Sequence, residues 1–196
     1  ASHLAAWEAA DRTDAPMAAL PVGFVIGMEG ADPILWPEQV HDWWADGVRV
    51  VSLTHYGVST YAHGTGTAGG LTPLAKPLFQ EMAKAGMMLD LTHLADESFW
   101  QALALFEGPV IASHQNCRAL VPGERQFSDE QLRAIITRGG VIGVSMDTWM
   151  LYSGSGLDWA KAGITERREL FARQDVTLAH VADHIDHLCQ LAGNAD

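Results

Sequence analysis

Three observations predict an α/β chain built around a parallel sheet. Short runs that are apolar throughout recur along the chain; each is followed by an amphipathic stretch of helical length; and Gly or Pro punctuates the boundaries. Strands apolar on both faces belong to sheets covered by helices on both sides. The strand candidates are residues 22–28, 48–53, 87–91, 110–112 and 141–144. A first helix is expected over residues 2–10, ahead of a polar connector. Pro37 starts the next, which ends at Gly47. Thr72 and Pro73 open one that runs to Gly86, although Pro77 falls past its first turn and should kink it or delay its start. Asp96 opens a fourth that stops before Gly108 and Pro109. Ser128, with Gln131 three residues on, forms a capping box for a helix closed by Gly139 and Gly140. The last helix is expected over residues 175–191, and residues 153–168 read as a charged loop containing Gly and Ser.

Composition narrows the function classes. The 196 residues carry 12 Lys+Arg against 24 Asp+Glu, a net charge of −12, which argues against a nucleic-acid binder and against docking on an anionic membrane surface. Hydrophobic residues make up 48% and charged ones 18%, enough apolar material for a folded core. No apolar run approaches the ~20 residues that span a bilayer. Cys117 and Cys189 stand far apart with no CxxC, so neither a disulfide framework nor a structural zinc knuckle is indicated. No GxGxxG or GxxxxGK[ST] follows a strand, which leaves nucleotide binding without support. Acidity and the lack of a disulfide framework favour a cytoplasmic location. The first residue is Ala, however, so a processed start or a signal peptide ahead of it remains compatible.

The chemistry sits where the strands end. The first run ends in Glu29, the second in His55, the third in His93, the fourth in His114 and the fifth in Asp147. In a (β/α)₈ barrel the carboxyl ends of the strands converge on one face, where the active site is assembled. Two imidazoles and a carboxylate suit zinc, and a carboxylate can bridge two ions. Glu29, His93 and His114 are therefore the candidate ligands. Five strand-and-helix units correspond to about five of the eight in such a TIM-like barrel.

Other residues compete for attention. His180, His184 and His187 lie at i, i+4 and i+7 on one helix face, but Val181, Ile185, Leu188 and Leu191 supply an apolar stripe beside them. The His face is expected to be the more solvated one, in a surface or helix-packing role rather than a ligand role. Arg125, by spacing alone, reads as a surface partner of Glu124 or Asp129. Ser113 precedes His114 without the G-x-S-x-G elbow that a serine hydrolase needs, and Cys117 reads as a buried thiol. Trp43, Trp44, Trp149 and Trp159 read as packing residues.

Specific strings in one order run through nearly the whole chain: GFVIGMEGADPI, VRVVSLTHYG, GGLTPLAKPLFQEMAKAGMMLDLTHLADESFW, PVIASHQNCRALVPGERQFSDEQL, GGVIGVSMDTWML and DHIDHLCQLAGNAD. In these the chain resembles the membrane dipeptidase (renal dipeptidase) family of zinc metallopeptidases, bacterial members included. The resemblance implies a (β/α)₈ barrel whose two-zinc site hydrolyses dipeptides through a shared, metal-activated water. It implies Glu29 as the bridging carboxylate, His93 and His114 as the two histidines of one zinc, and His55 as the residue that contacts substrate and steadies the tetrahedral intermediate. It makes Arg125 the anchor of the substrate's carboxylate, against the reading from spacing. For Asp147 it leaves two roles open, contact with the substrate's amine or loop structure. A homodimer is also implied.

The departures are as specific. An H-x-D motif should hold the other zinc, but His3 is followed two residues on by Ala5. A catalytic aspartate expected after the last helix has no counterpart before Asp196. The expectation is therefore one incomplete barrel domain over residues 1–196, lacking the first strand or strands and the last, with one partial metal site and little activity alone. Two other readings remain: a different amidohydrolase-type metal enzyme acting on a cyclic amide or lactone, and a barrel that binds without catalysing. The first commonly uses a bridging lysine, and no Lys ends a strand here.

Overall fold

The computed structural model describes residues 2–11, 20–152, 163–172 and 175–193. Its sheet has five parallel strands: β1 (Ile26–Glu29), β2 (Val48–Ser52), β3 (Met88–Asp90), β4 (Val110–Ala112) and β5 (Val141–Ile142). Their spatial order is the order of the sequence, β1-β2-β3-β4-β5. A doubly wound sheet reverses strand order at its midpoint, whereas a barrel winds one way without a switch. The sheet is thus the barrel type that the sequence predicts.

Helices alternate with the strands. Helix α1 (Ser2–Asp11) precedes the sheet; α2 (Val40–Ala45), α3 (Ala75–Ala85), α4 (Asp96–Leu105) and α5 (Asp129–Thr137) connect consecutive strands. The expected helix from Pro37 is a single 3-10 turn, Pro37–Gln39, running into α2. Pro77 does delay its helix: α3 begins at Ala75, so Pro77 falls in the first turn, where its missing N–H has no carbonyl to serve. Gly86 closes α3 at φ 78°. The Ser128 capping box forms as expected, its hydroxyl accepting from the Gln131 N–H and the Gln131 side chain accepting from the Ser128 N–H.

Several strands are a residue or two shorter than expected, and three differences are larger. The first strand starts only at Ile26, which pairs with Val48, the first residue of β2. Residues before Ile26 have no ladder partner on that side, and Val22 and Phe24 stand 85% and 83% exposed. Part of the expected loop at 153–168 is helical: α7 covers Ile164–Phe171, after a short α6 at Thr148–Leu151. Residues 153–162, including Trp159, lie outside the described residues. The last helix, α8 (Leu178–Ala192), starts later than expected because Thr177 caps it, its hydroxyl accepting from the Ala179 N–H.

One core lies beneath the sheet's helices, built on Leu53, Leu89 and Leu91 from the strand ends, with Phe79, Phe99, Phe106 and Phe127 among the residues packed against them. The rings of Phe79 and Phe106 sit 5.3 Å apart and those of Phe99 and Phe127 4.9 Å, in tilted and edge-on arrangements. No helix among the described residues is long and apolar enough to cross a membrane.

Candidate metal centre

Four adjacent strands deliver their terminal side chains to one place. Glu29 is the last residue of β1, His55 and His93 each follow their strand by three residues, and His114 follows β4 by two. The Glu29 Oε1 atom lies 3.2 Å from His114 Nε2, 3.4 Å from His93 Nε2 and 3.8 Å from His55 Nε2. The two nearer imidazole Nε2 atoms are 3.2 Å from each other. His93 reaches this position through a left-handed backbone, φ 72°, the single positive φ at a residue other than glycine among those described. Such a conformation costs on the order of 1 kcal/mol and persists where surrounding contacts dictate it. Two close approaches keep the strand ends together. A Cβ on Gly143 would stand 2.1 Å from the Ser113 carbonyl oxygen, and one on Gly64 would stand 2.4 Å from that of His55. Only glycine lets β5 and the 57–72 loop come so near.

Burial sets the protonation of these groups. The His93 side chain is 3% exposed, and burial, with the nearby Arg125 charge, pushes its pKa down to about 2. His114 is shifted in the same direction, again chiefly by burial. Both rings are therefore neutral at ordinary pH, the form that ligates a metal. Behind them stand polar residues that sequence reasoning passed over. Thr65 Oγ1 lies 3.1 Å from His93 Nδ1, and Ser113 Oγ lies 2.8 Å from His114 Nδ1 and 2.5 Å from Asp90 Oδ2. Asp90 is buried at the end of β3, and an acid inside the apolar run MMLDL was the available sign of it. Ser113 stands behind the His114 ring with its hydroxyl directed at Asp90.

These residues fit a divalent ion. Two imidazole nitrogens and one carboxylate oxygen converge within 3.4 Å of one another, the spacing of ligands around a single ion, and an N₂O donor set suits zinc. Among the described residues Glu29, His93 and His114 are the one such group. A cavity of about 450 Å³ opens beside it, lined in part by Glu29, Asp90, Ser113 and His114.

The remaining candidates fall around and away from this point. His55 is half-exposed and its ring centroid is 4.2 Å from that of His93. Arg125 is buried, which corrects the reading of it as a surface residue paired with Glu124 or Asp129. Its guanidinium donates to Gln115 Oε1 at 2.7 Å and to the His114 carbonyl at 3.0 Å, both uncharged, and burial lowers its pKa. No carboxylate of the described residues is within ion-pair distance of it. Asp147 is exposed at the start of α6 and is not part of the ligand group. The α8 histidines are elsewhere. Their face is not the more solvated one: His184 is 1% exposed and accepts from the Cys117 N–H at 3.1 Å, while Ile185 is 48% exposed. The reason is that α8 packs on α5 and on the segment after β4. His187 pairs with Asp129 at 2.8 Å, and His180 Nδ1 accepts from the Thr177 N–H at 3.1 Å. The Cys117 thiol is fully buried and pushed up to about 12, so it is inert as expected.

Comparison with known proteins decides the family. The sequence profile of the membrane dipeptidases (Peptidase family M19) matches residues 2–196. The chain belongs to the membrane dipeptidase family. Among curated members, dipeptidase verJ of Clonostachys rogersoniana is 29% identical over 172 residues, covering 85% of this chain and 39% of that protein. A metallo peptidase from Rhodobacter sphaeroides, solved with a phosphinate mimic of the dipeptide L-Ala-D-Ala, superposes with a TM-score of 0.70 at 26% identity, covering 86% of this chain and 46% of its own. The probable dipeptidase PvdM from Pseudomonas aeruginosa shares the fold, with a TM-score of 0.74 at 23% identity over 86% of this chain and 54% of that one. The chain thus spans about half or less of the length of these relatives, and its five strands are β/α units of a TIM-like barrel.

Proposed function

We propose that this protein is a zinc-dependent dipeptidase whose centre is assembled on Glu29, His93 and His114. The convergence of two imidazole nitrogens and one carboxylate oxygen at adjacent strand ends carries the reading. Glu29 would bridge two ions, with His93 and His114 completing one; the ligands of the other would come from strands beyond these five. A bound ion supplies Lewis acidity, lowering the pKa of a water and polarising the scissile carbonyl. His55 faces the same space and donates a hydrogen bond to the carbonyl oxygen as negative charge develops on it. Arg125, a buried cation whose described partners, the Gln115 amide oxygen, the His114 carbonyl and the Tyr56 hydroxyl, are uncharged, receives the substrate's terminal carboxylate. An anchor that close to the His114 backbone restricts the substrate to very short peptides, and exposed Asp147 is left to meet the substrate's amine. The dipeptide mimic in the Rhodobacter sphaeroides relative supports a dipeptide over a lactone.

A native mass spectrum read beside dipeptide turnover tests this. The 21.2 kDa chain is expected to take up no more than one zinc ion and to hydrolyse dipeptides poorly, while a longer chain containing it takes up two and turns over. Equal turnover by the two would overturn the division of the site. Absence of zinc from both would overturn the metal reading.

A further inference from the structure

The two candidate ligand histidines share an arrangement on their far side. Each Nδ1 faces a hydroxyl whose single proton has another destination. Ser113 Oγ stands 2.5 Å from Asp90 Oδ2, and a carboxylate only accepts, so the hydroxyl proton points at Asp90. Toward His114 the same oxygen offers a lone pair, and Nδ1, at 2.8 Å, must be the donor. Asp90 is held for this task. Its Oδ1 accepts the Thr92 and Ser113 backbone N–H groups, both at 3.0 Å, which leaves Oδ2 directed at the Ser113 hydroxyl. On the other ring, Thr65 Oγ1 donates to the His93 carbonyl at 3.2 Å and therefore accepts from His93 Nδ1 at 3.1 Å.

We propose that Asp90, acting through Ser113, and the His93 carbonyl, acting through Thr65, lock both imidazoles as Nδ1–H tautomers, so that each Nε2 presents a lone pair beside Glu29 before an ion arrives. Asp90, Ser113 and Thr65 are positioning residues. They touch neither ion nor substrate, and what they set is which ring nitrogen is free to ligate. The inference rests on Glu29, His93 and His114 being the metal centre.

The lock makes an unusual prediction for a nearly isosteric change. In Asp90→Asn the one carbonyl oxygen is needed by the two backbone N–H groups, so the amide NH₂ faces Ser113 and donates to it. Ser113 then turns its proton to His114 Nδ1, and the ring proton moves to Nε2, where it blocks ligation. Ser113→Ala only removes the link and leaves the tautomer to solvent. Asp90→Asn should therefore weaken zinc binding more than Ser113→Ala does, although the second variant removes the atom that touches the ring.

The experiment is a pair of measurements on the purified protein and on the variants Ser113→Ala, Ser113→Thr, Asp90→Asn and Thr65→Val. Zinc affinity is read by competition with a chromogenic chelator, and the ring ¹⁵N shifts of His93 and His114 are read in the metal-free state. Expected are Nδ1–H rings in the unaltered protein, a roughly 10–100-fold loss of zinc affinity in Ser113→Ala and Thr65→Val, a larger loss in Asp90→Asn, and recovery in Ser113→Thr. The ¹⁵N pattern of His114 should shift toward Nε2–H in Asp90→Asn, which a merely structural role would not produce. If Asp90→Asn fails to fold, Ser113→Ala decides, because its backbone N–H still reaches Asp90. Unaltered affinity and unaltered ring shifts in Ser113→Ala would overturn the proposal. Nδ1–H rings with no zinc affinity, in this chain and in a longer one containing it alike, would instead overturn the metal reading and leave the lock standing.

Discussion

The chain holds two sets of histidines that look equivalent in sequence and differ in what their ring nitrogens are doing. At the strand ends, His93 and His114 direct Nε2 at each other and at Glu29, within 3.2–3.4 Å. On α8, His180 closes a helix cap, His184 accepts from a buried backbone N–H, and His187 is paired with Asp129. Both sets are polar residues near a core. One leaves nitrogen lone pairs directed at a shared point, and the other commits its rings to separate neighbours. A histidine's capacity to bind metal is thus set by whether its ring nitrogens are already engaged, more than by helical spacing or local acidity.

The largest effect expected from this contrast is at Glu29. Glu29→Gln keeps the volume and removes the charge between the two rings, so in a longer chain that contains these residues and turns over, dipeptide hydrolysis should fall by on the order of 10³-fold, and bound zinc with it. Initial rates and metal analysis on the same preparation check this. Retained turnover would place the reaction elsewhere.

A pair of alanine variants then separates the two sets. His184→Ala strands the Cys117 N–H in the core and leaves a cavity, at a cost of about 2–4 kcal/mol of stability with zinc affinity unchanged. His114→Ala should do the reverse, abolishing zinc binding while changing metal-free stability by less than about 1 kcal/mol. Urea unfolding beside zinc titration reads both, and a loss of zinc affinity in His184→Ala would break the comparison.

Acid sharpens it further. Burial holds the folded pKa of His184 below the ordinary histidine value, and that of His93 at about 2. The unfolded chain therefore takes up protons that the folded chain refuses. The stability contributed by these groups is complete above about pH 6.5 and declines as pH falls toward each folded value, by up to about 1.4 kcal/mol per pH unit for each histidine. Urea midpoints should drop between pH 7 and pH 5, and His184→Gln should make that drop shallower. An unchanged slope would mean that His184 titrates normally.

The smallest effect belongs to His180, whose replacement by Ala removes one arm of the Thr177 cap. A loss of about 0.5–1 kcal/mol in thermal or urea unfolding is expected, with metal binding untouched.

Glu29, His93 and His114 were legible because each breaks a short apolar run at its carboxyl end, where the barrel topology collects residues that the sequence separates. Their supporting partners were not. Ser113 beside His114 carries no motif, and Thr65 is 28 residues from the ring that it faces. The α8 face was misjudged because its apolar and polar positions both recur at helical spacing. Val181, Leu188 and Leu191 do face the interior, but His184 goes in with them and Ile185 does not. Arg125 was misjudged from spacing because neighbouring acids suggest ion pairs, whereas its loop folds inward beneath the His114 carbonyl.

Periodicity and punctuation by themselves determine the alternation of strands and helices, the parallel sheet and the identity of the strand-end residues, because hydrophobic burial and capping act over a few neighbouring positions. Tertiary structure decides which nitrogen of each imidazole is free, which helix face is buried and that Arg125 is a buried cation without a carboxylate partner among the described residues. Those properties depend on where hydroxyls, carbonyls and N–H groups from distant segments place their protons and lone pairs, and only the folded chain brings them within hydrogen-bonding distance.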